Sequence, residues 1–421
     1  DPLRRLRNLF ARRAALYAEA DETLVVESLT PMDAAARIAA SVAGRGLLPG
    51  DGAETACWLT RTQHGPDYEI VVGWNAIASL PERLKGLQLP KRLHIISDDA
   101  VGSLYEPPLL TALLAAGFEP LVCRVPVGEG SKSATQLGAI YDWLANRRAE
   151  RGEAILALGG GVVGDLAGYA AATWLRGVPL IQVPTSLLAQ VDASIGGKVA
   201  INHPQGKNLV GAFYPPLLVL SDPALLMTLP ERQYIEGLAE MVKHGVALDG
   251  GYFIRLELNA SDLLRREPVA LTKAIVESAS IKSAIVQIDE REGSHDERIR
   301  LNYGHTIGHA LEAVTGYGQW LHGEAVAVGM NVAARIGVSL GITPAEVAER
   351  QEKLLTYLGL PTSLKGVSAS ALLGAALWDK KVRDGAVRWV LPTTLGRTAI
   401  VRNVPLDEVR AVLLASGAEP H

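Results

Sequence analysis

Residues 154–216 read AILALGGGVVGDLAGYAAATWLRGVPLIQVPTSLLAQVDASIGGKVAINHPQGKNLVGAFYPP, and they decide the fold because glycine, lysine and isolated polar residues interrupt an otherwise apolar sequence. The first five residues are typical of a buried strand, and residues 165–172 have a helical pattern. Three glycines lie between them in a G-x-G-x-x-G spacing, namely Gly159, Gly161 and Gly164. This order indicates a pyrophosphate site, because glycines let backbone N–H groups approach the anion and the helix dipole attracts it. A glycine turn with a purely structural role has the same pattern. These residues alone therefore do not distinguish a pyrophosphate site from a structural turn.

The composition is that of an ordinary globular chain. Its 421 residues are enough for two or three domains, and 48 % hydrophobic with 20 % charged residues allows a large core. The net charge of −4 gives no basis for attraction to nucleic acid or to a membrane surface. The sequence has no apolar run of the roughly 18 residues that span a bilayer and no secretory signal, and its two cysteines form no CxxC motif. We therefore expect a cytoplasmic protein.

Strand-like runs alternate with helical patterns such as 134–147 in the first half of the chain. The runs are 68–72, 92–97, 120–125, 154–158 and 180–183. This alternation predicts a parallel sheet covered by helices, with ligands at the carboxyl ends of the strands. Asp98 follows one strand, and Glu129 and Lys132 follow another. Acidic residues in these positions either bind ribose hydroxyls or cap helices.

Long helical patterns replace the strands after about residue 221. They cover 231–246, 268–289, 304–315, 323–340 and 344–358. Between residues 47 and 66 the composition shifts to Gly, Pro, Asp and Thr, which predicts a linker. The predicted parts are therefore a separate leading piece, a linker, a sheet domain and a helical domain: 1–46, 47–66, 67–221 and 222–421.

Polar residues interrupt the apolar faces of the predicted helices. Glu240 and Lys243 share one helix face, and Asn302, His305 and His309 share another. A Glu and two His from separate segments suit a catalytic zinc ion. By spacing alone, His305 and His309 are the ligand pair, although such a histidine is often only a hydrogen-bonded polar residue.

Most of the lysines and arginines in the chain need no function, because solvated charge is the default. Lys198 and Lys207 differ, since they lie in the sequences GGK and GKN among small and apolar residues. Lysines beside glycine backbone favour the binding of an anion, such as a substrate phosphate or carboxylate.

Eight short segments occur in an order that is typical of one enzyme family. They are GGGVVGDLAGYAAATWLRG, PTSLLAQVDASIGGK, GKNLVGAFYPP, EGLAEMVKHG, IKSAIVQIDERE, LNYGHTIGHALEAV, LHGEAVAVGM and DKK. From about residue 67 to about residue 413 the chain resembles the 3-dehydroquinate synthases, which are sugar-phosphate cyclases. The resemblance implies an α/β fold class, with a Rossmann-like parallel-sheet NAD-binding domain followed by a mainly α-helical metal-binding domain.

The resemblance also implies a role for individual residues. The residues implied for NAD are Asp98, Glu129, Lys132, Gly160, Gly161, Val162, Asp165, Thr185, Ser186, Leu188 and Lys207. The divalent metal, zinc or cobalt, would be bound by Glu240, His305 and His322, which moves His309 from the metal to the substrate. The residues implied for the substrate are Asp192, Lys198, Asn208, Lys243, Lys282, Glu292, Arg298, Asn302, His309 and Lys381, with Arg176 reaching a phosphate across a homodimer interface.

The activity implied is conversion of 3-deoxy-D-arabino-heptulosonate 7-phosphate to 3-dehydroquinate and phosphate, with NAD used catalytically, in the shikimate pathway of aromatic amino acid biosynthesis. A cyclase of sedoheptulose 7-phosphate, a metal-dependent NAD polyol dehydrogenase and a non-catalytic assembly platform are the alternatives. The substrates of the other cyclases lack the carboxylate, and those enzymes tend to change the residues that bind it. The presence of Lys282, Asn302 and His309 therefore favours the first activity.

The sequence departs from the family pattern at a few positions. Val199 stands after GGK where threonine is usual, and Ser186 also replaces a threonine. The segment GSHDE is about two residues longer than usual, which leaves Arg300 as a rival of Arg298. In the DKK motif, either Lys380 or Lys381 would be the functional lysine.

Residues 1–46 show a second, weaker resemblance. An arginine-rich helix, a tyrosine followed by EAD, a strand and a final helix resemble the C-terminal end of the shikimate kinases. The chain contains no G-x-x-x-x-G-K-[ST] phosphate loop, so kinase chemistry is not expected from it. Because the chain also starts at Asp1, we expect the natural product to be a fusion with a shikimate kinase portion upstream; a plain helical leader is the alternative.

Overall fold

The computed structural model describes residues 55–292, 297–381 and 387–421, except for the side chains of residues 378–381. The kinase-like segment 1–46 and the start of the predicted linker 47–66 lie outside the described residues. The side chains of Lys380 and Lys381 are likewise outside them.

A seven-stranded sheet forms the first half of the described chain. Its strands are β1 (Ala56–Thr60), β2 (Tyr68–Val72), β3 (Arg92–Asp98), β4 (Glu119–Val125), β5 (Ala154–Gly159), β6 (Leu180–Pro184) and β9 (Leu218–Ser221). Their spatial order is β1-β2-β9-β6-β5-β3-β4. All neighbouring pairs are parallel except β1 with β2. The structure thus confirms the predicted parallel sheet.

The predicted linker contains a structured element. Strand β1 lies within it, and Ala56 and Thr60 are buried against the sheet. Burial alternates along β1, with Ala56 and Thr60 buried and Cys57 and Leu59 exposed, but its sequence ACWLT shows no alternation of polar and apolar residues and is flanked by glycine and proline. The linker prediction was therefore wrong for residues 56–60.

Helices cover both faces of the sheet. They are α1 (Leu80–Gly86), α2 (Asp99–Ala115), α3 (Ala134–Asn146) and α4 (Gly161–Thr173). Because side chains alternate along a strand, Ile95 and Leu156 pack with Leu113 of α2, whereas Ile96 and Ile155 join the opposite cluster with α3 and α4. An apolar cluster therefore lies on each face, as expected for a parallel sheet between two helix layers.

The glycine turn after β5 owes its composition to close packing. A Cβ at Gly159 would lie 2.6 Å from Val163 Cβ, and a Cβ at Gly164 would lie 2.9 Å from Gln182 Oε1 of β6. Neither position has a positive φ. The glycines therefore bring α4 against the sheet, and the helix starts at the carboxyl end of β5.

A hairpin of β7 (Lys198–His203) and β8 (Gly206–Phe213) follows β6 and forms a separate two-stranded sheet. These two strands were not predicted, because glycine and lysine in this segment hide the alternation. β8 is largely exposed along its length.

Helices dominate the chain after β9, as predicted. They are α5 (Glu231–Ala247), α6 (Gly250–Leu264), α7 (Pro268–Ile288), α8 (His305–Val314), α9 (His322–Ser339), α10 (Ala345–Tyr357), α11 (Ala369–Lys381) and α12 (Leu406–Ala415). Their bounds differ from the predicted ones by at most one residue where a prediction exists. A ribbon of β10 (Arg388–Thr394) and β11 (Arg397–Arg402), which was not predicted, packs among them.

The largest apolar cluster joins the two halves. It contains Ile70 and Val219 from the sheet together with Leu238, Ile275 and Val326 from α5, α7 and α9. None of the helices in the described part of the chain combines the length and the apolar composition that a membrane span requires.

Candidate active site

Glu240, His305 and His322 form a cluster in the helical half. Glu240 lies on α5 and is 0 % exposed, while the two histidines are the first residues of α8 and α9. Each histidine Nε2 lies 3.7 Å from Glu240 Oε1. This oxygen accepts no hydrogen bond from any described residue. A buried carboxylate oxygen is costly without a compensating partner, so the donor set fits a divalent cation with two imidazole ligands and one carboxylate ligand.

The far nitrogen of each imidazole ring is held by a neighbour. His305 Nδ1 lies 3.1 Å from the Tyr303 carbonyl oxygen, and His322 Nδ1 lies 3.3 Å from Glu312 Oε2. Since both partners are acceptors, each ring directs an Nδ1 proton to its partner, and Nε2 faces Glu240. This is how second partners orient metal-binding histidines in proteins.

Glu312 was not predicted by the sequence analysis. It lies seven residues after His305 and three after His309, so all three share one face of α8. This spacing is the signal that could have found it. Burial by itself would raise the pKa of Glu312, but His322 and Lys207 outweigh burial and lower that pKa to about 2.

His309 lies beside the cluster and is exposed. Its ring centroid is 5.2 Å from that of His305 and 6.0 Å from that of His322. Among the described residues, Glu240 can share a metal ion with His305 and His322 or with Asp192 and His244, whereas His309 groups with Glu312 and His322. The structure therefore does not support the pair His305 and His309 that spacing alone suggested.

Two lysines and one aspartate adjoin the cluster. The ammonium group of Lys243 pairs with Glu240 and lies 4.0 Å from Asp192, while Lys282 pairs with the Asp192 carboxylate and donates to its carbonyl oxygen. Burial alone would raise the pKa of Asp192, but the two ammonium groups hold that pKa well below its ordinary value. Burial lowers the pKa of Lys282 to about 8, and Lys243 and Arg298 add to this effect.

Arg298 binds the backbone of the GGK turn, residues 196–198, from the protein interior. Its buried guanidinium donates to the carbonyl oxygens of Glu290 and Gly196. Gly196 has a φ of +97°, and a Cβ there would lie 2.7 Å from Arg298 Nη2. Arg300, the rival candidate, is one-third exposed and pairs with Glu297 at 3.5 Å. Between the two, Arg298 contacts the predicted anion site, while the adjacent Lys198 pairs with Glu292.

Most of the residues predicted for NAD lie at the carboxyl ends of β3, β4, β5 and β6, and Lys207 lies on β8. The chain runs from β3 outward to β4 and then back to β5 on the other side, so a crevice opens between β3 and β5. Gly160, Gly161 and Val162 start α4 at this crevice, and no described side chain caps the helix start. Its free N–H groups suit a pyrophosphate.

Hydrogen bonds connect several of the predicted NAD residues. Lys132 pairs with Asp165, whose pKa is raised by burial. Glu129 accepts a bond of 2.7 Å from Asn202, whose own Oδ1 accepts from Asn208 N–H at 3.1 Å. Asn202 was not predicted, and nothing in its sequence context marks it.

The other predicted NAD residues lie in two turns. Asp98 caps α2 by accepting from the N–H groups of Ala100 and Val101, which is the alternative role that the sequence left open. The turn after β6 carries three predicted residues: Thr185, Ser186 and Leu188. Thr185 is buried, and its N–H donates to the Gly159 carbonyl oxygen, which ties this turn to the glycine turn.

A few predicted residues stand apart from these groups. Arg176 is exposed and has a φ of 68°. Asn302 is partly buried at the end of the turn Arg298–Asn302. Lys381 lies at the end of α11, with its side chain outside the described ones.

Comparisons with known proteins agree on one family. The family model for the 3-dehydroquinate synthase N-terminal region matches residues 122–236, and that for the C-terminal region matches residues 237–382. The 3-dehydroquinate synthase of Geotalea uraniireducens is 48 % identical over 333 residues, which cover 79 % of this chain and 92 % of the relative. That of Nostoc punctiforme is 45 % identical over 349 residues, covering 82 % and 96 %.

Solved structures share the fold. A 2-epi-5-epi-valiolone synthase from Streptomyces hygroscopicus, with NAD⁺ and Zn²⁺ bound, superposes with a TM-score of 0.78 at 27 % identity and covers 85 % of this chain and 99 % of that one. A 2-deoxy-scyllo-inosose synthase with carbaglucose-6-phosphate, NAD⁺ and Co²⁺ gives a TM-score of 0.76 at 26 % identity, covering 86 % and 100 %. An NADH-dependent butanol dehydrogenase from Thermotoga maritima gives a TM-score of 0.61 at 18 % identity, covering 85 % and 98 %, which shows the fold alone. From the two family models and the coverage of its relatives, this chain belongs to the 3-dehydroquinate synthase family of enzymes.

Proposed function

We propose that this chain converts 3-deoxy-D-arabino-heptulosonate 7-phosphate to 3-dehydroquinate and phosphate, as a step of the shikimate pathway. The observation that carries the proposal is the contact of Lys243 with Glu240 in the Glu240, His305 and His322 cluster, together with Asp192, which lies beside Lys243 and pairs with Lys282. A divalent metal centre beside buried ammonium groups suits a substrate with a hydroxyl to be activated and anionic groups to be held.

The metal, zinc or cobalt, would be held by Glu240, His305 and His322. NAD would lie at the crevice between β3 and β5, against Gly160, Gly161 and Lys132. When bound, the metal would make a substrate hydroxyl acidic, and NAD would accept a hydride from the substrate and return it later in the same turnover.

The side chains of the protein would bind and orient the substrate. Lys198, Asn208 and Arg298 lie on or under the GGK turn and the adjoining hairpin, where they would hold the phosphate. Lys282, with Asn302 and His309 on the α8 side, would hold the carboxylate. Holding the substrate by its anionic groups would restrict its conformation and preset the geometry of its reacting carbons.

Lys243 has a separate role in this arrangement. Its ammonium group pairs with Glu240, and Asp192 lies on its other side. We infer that Lys243 fixes the Glu240 carboxylate so that Oε1 faces the two histidines.

Phosphate release tests the proposal directly. The full chain, supplied with NAD and Zn²⁺, should release phosphate from the heptulosonate phosphate without net formation of NADH, and EDTA should abolish the release. The variant Glu240→Gln should lose activity because it removes the charge of one metal ligand. Glu153→Gln should retain activity as the matched control, because Glu153 pairs with the buried His94 just before β5, at the amino ends of the strands rather than their carboxyl ends.

The same assay separates the rival functions. Turnover of sedoheptulose 7-phosphate only would show another sugar-phosphate cyclase. Accumulation of NADH would show a polyol dehydrogenase, and no phosphate release with metal and NAD present would support a non-catalytic role.

We also propose that the chain acts as a homodimer in which Arg176 reaches the phosphate site of the partner. Its exposure in a turn supports a contact outside its own subunit. Light scattering after size exclusion should give twice the chain mass, and Arg176→Ala should raise the KM of the substrate. A monomer with normal KM in this variant would contradict the proposal.

The remaining parts of the proposal concern context. We propose that residues 1–46 derive from a shikimate kinase C-terminal end and that the protein acts in the cytoplasm. The free thiols Cys57 and Cys123 fit a reducing compartment. A transcript that reads through from a kinase domain would support the first point, and a separate upstream frame with its own stop would contradict it.

A further inference from the structure

One carboxylate connects the two predicted cofactor sites. Glu312 Oε2 accepts from His322 Nδ1 at 3.3 Å, and Glu312 Oε1 accepts from Lys207 Nζ at 2.8 Å. His322 belongs to the metal cluster, whereas Lys207 lies on β8 among the residues predicted for NAD. Glu312 is 2 % exposed, so its charge is shared by these two partners rather than by water.

The fold places Glu312 there through close helix packing. Helix α8 carries His305 and Glu312 on one face, and its Gly308 packs against Ala325 of α9, where a Cβ would lie 3.2 Å from the carbonyl oxygen. This approach brings the first turn of α9, with His322, within reach of the Glu312 carboxylate. Lys207 reaches the other oxygen from the hairpin, with its Nζ 5.2 Å from the centre of the Tyr317 ring.

The two hydrogen bonds compete for the same negative charge. The bond to Nδ1 keeps the His322 proton on that nitrogen and makes Nε2 a better electron donor toward a metal. The ammonium group of Lys207 draws charge away from this bond. If the phosphates of NAD attract Lys207, more of the Glu312 charge is available to His322, which strengthens the metal ligand.

We propose that Glu312 is a positioning residue that couples the two cofactors: it orients His322 for the metal, and through Lys207 it makes metal binding tighter when NAD is bound. This inference rests on the proposed metal and NAD sites. By linkage, the metal must tighten NAD by the same factor.

Metal affinity, measured without turnover, tests the inference. Zn²⁺ is titrated into the metal-free full chain against a fluorescent chelator, with and without NAD. In Glu312→Gln, which keeps the shape of the side chain, the Kd for Zn²⁺ should rise about 10–100-fold. The visible spectrum of bound Co²⁺ should also change, because the His322 ring loses its fixed orientation.

A second variant, Lys207→Met, tests the coupling between NAD binding and Zn²⁺ binding. In the unaltered chain NAD should lower the Kd for Zn²⁺ at least about 5-fold, the lower end of ordinary coupling factors. In Lys207→Met this effect should disappear, while Zn²⁺ binding without NAD stays as tight or becomes tighter. Lys207→Met leaves the contact between Glu312 and His322 intact. This variant therefore still tests whether NAD binding and metal binding are coupled if Glu312→Gln fails to fold.

Glu153→Gln is the matched control, because it alters another buried carboxylate–histidine contact, 2.7 Å from His94 Nε2, at the amino ends of the strands. Its Kd for Zn²⁺ should match that of the unaltered chain. A Kd in Glu312→Gln within twofold of the unaltered chain, or an NAD effect that persists in Lys207→Met, would overturn the inference. Failure of the unaltered chain to bind Zn²⁺ would instead contradict the proposed metal centre.

Discussion

At the scale of the residue, the charged side chains of the site form ion pairs with one another. Asp192 is shared by two ammonium groups, those of Lys243 and Lys282, which are 1 % and 7 % exposed. Buried ammonium groups need such a partner, since removing one member of a buried pair leaves an uncompensated charge. The stability of this region therefore depends on Asp192 as much as the proposed chemistry does.

Asp192→Asn should lower the free energy of unfolding by about 3–5 kcal/mol, because Lys282 loses its charged partner and Lys243 keeps only Glu240. Urea denaturation followed by circular dichroism measures the change. Asp262→Asn is the control: Asp262 forms an exposed pair with Arg265 on α6 and should cost less than about 1 kcal/mol. Equal costs for both variants would show that the Asp192 cluster contributes no more than a surface pair.

The pKa of Lys282, about 8, predicts a pH dependence. The charged ammonium form, which would hold the substrate carboxylate, predominates below that pH and is lost above it. The value of kcat/KM should therefore fall by about tenfold per pH unit above about pH 8. In Lys282→Arg the guanidinium stays charged, so the alkaline limb should move to higher pH even where the maximum rate is lower. If kcat/KM of Lys282→Arg falls at the same pH as in the unaltered chain, the fall is due to another group.

At the scale of the element, glycine contacts between helices set the geometry of the histidines. A Cβ at Gly329 of α9 would lie 2.0 Å from the Gly304 carbonyl oxygen, and one at Gly323 would lie 1.9 Å from the Glu236 carbonyl oxygen. These are backbone atoms that a side-chain rotation cannot move. The spacing of α5, α8 and α9, and hence of the side chains of Glu240, His305 and His322, follows from the absence of Cβ atoms at these positions.

Gly329→Ala should therefore destabilise the protein by more than about 2 kcal/mol and weaken Zn²⁺ binding, since overpacked helices must separate. Thermal unfolding and chelator competition measure the two effects. Gly138→Ala on α3 is the matched control, because a Cβ there meets no atom within 4 Å. This variant should be neutral or stabilising by up to about 1 kcal/mol. Loss of stability without loss of metal affinity in Gly329→Ala would separate helix packing from the site.

At the scale of the whole molecule, the sequence predicted regular elements well and contacts poorly. The strands and helices follow from hydrophobic period, which is a local property. Strand β1 and the hairpin of β7 and β8 were missed because glycine and polar residues disguise their alternation. Glu312 contacts His322, 10 positions away, and Lys207, 105 positions away. Asn202 contacts Asn208, 6 positions away, and Glu129, 73 positions away. Spacing along the chain could not reveal the more distant of these contacts.

The shared apolar cluster predicts cooperative unfolding of the sheet and the helical half. Calorimetry of the full chain should show one main transition for these parts, because Ile70 and Val219 pack in the same cluster as Leu238 and Ile275. NAD at about 100 times its Kd should stabilise the whole by about 2.7 kcal/mol, although it would contact mainly the sheet. Two transitions, of which NAD moves only one, would contradict this.

The pairing of lysines with carboxylates has a consequence for inhibitors. Lys198, Lys207, Lys243 and Lys282 each contact a carboxylate of the protein, which acts as a built-in competitor for any incoming anion. A simple ion such as sulfate gains little by exchanging one such partner for another. A rigid compound that presents two anions at the correct separation displaces two competitors in one binding event, so selectivity would come from the separation of its charges rather than from their number.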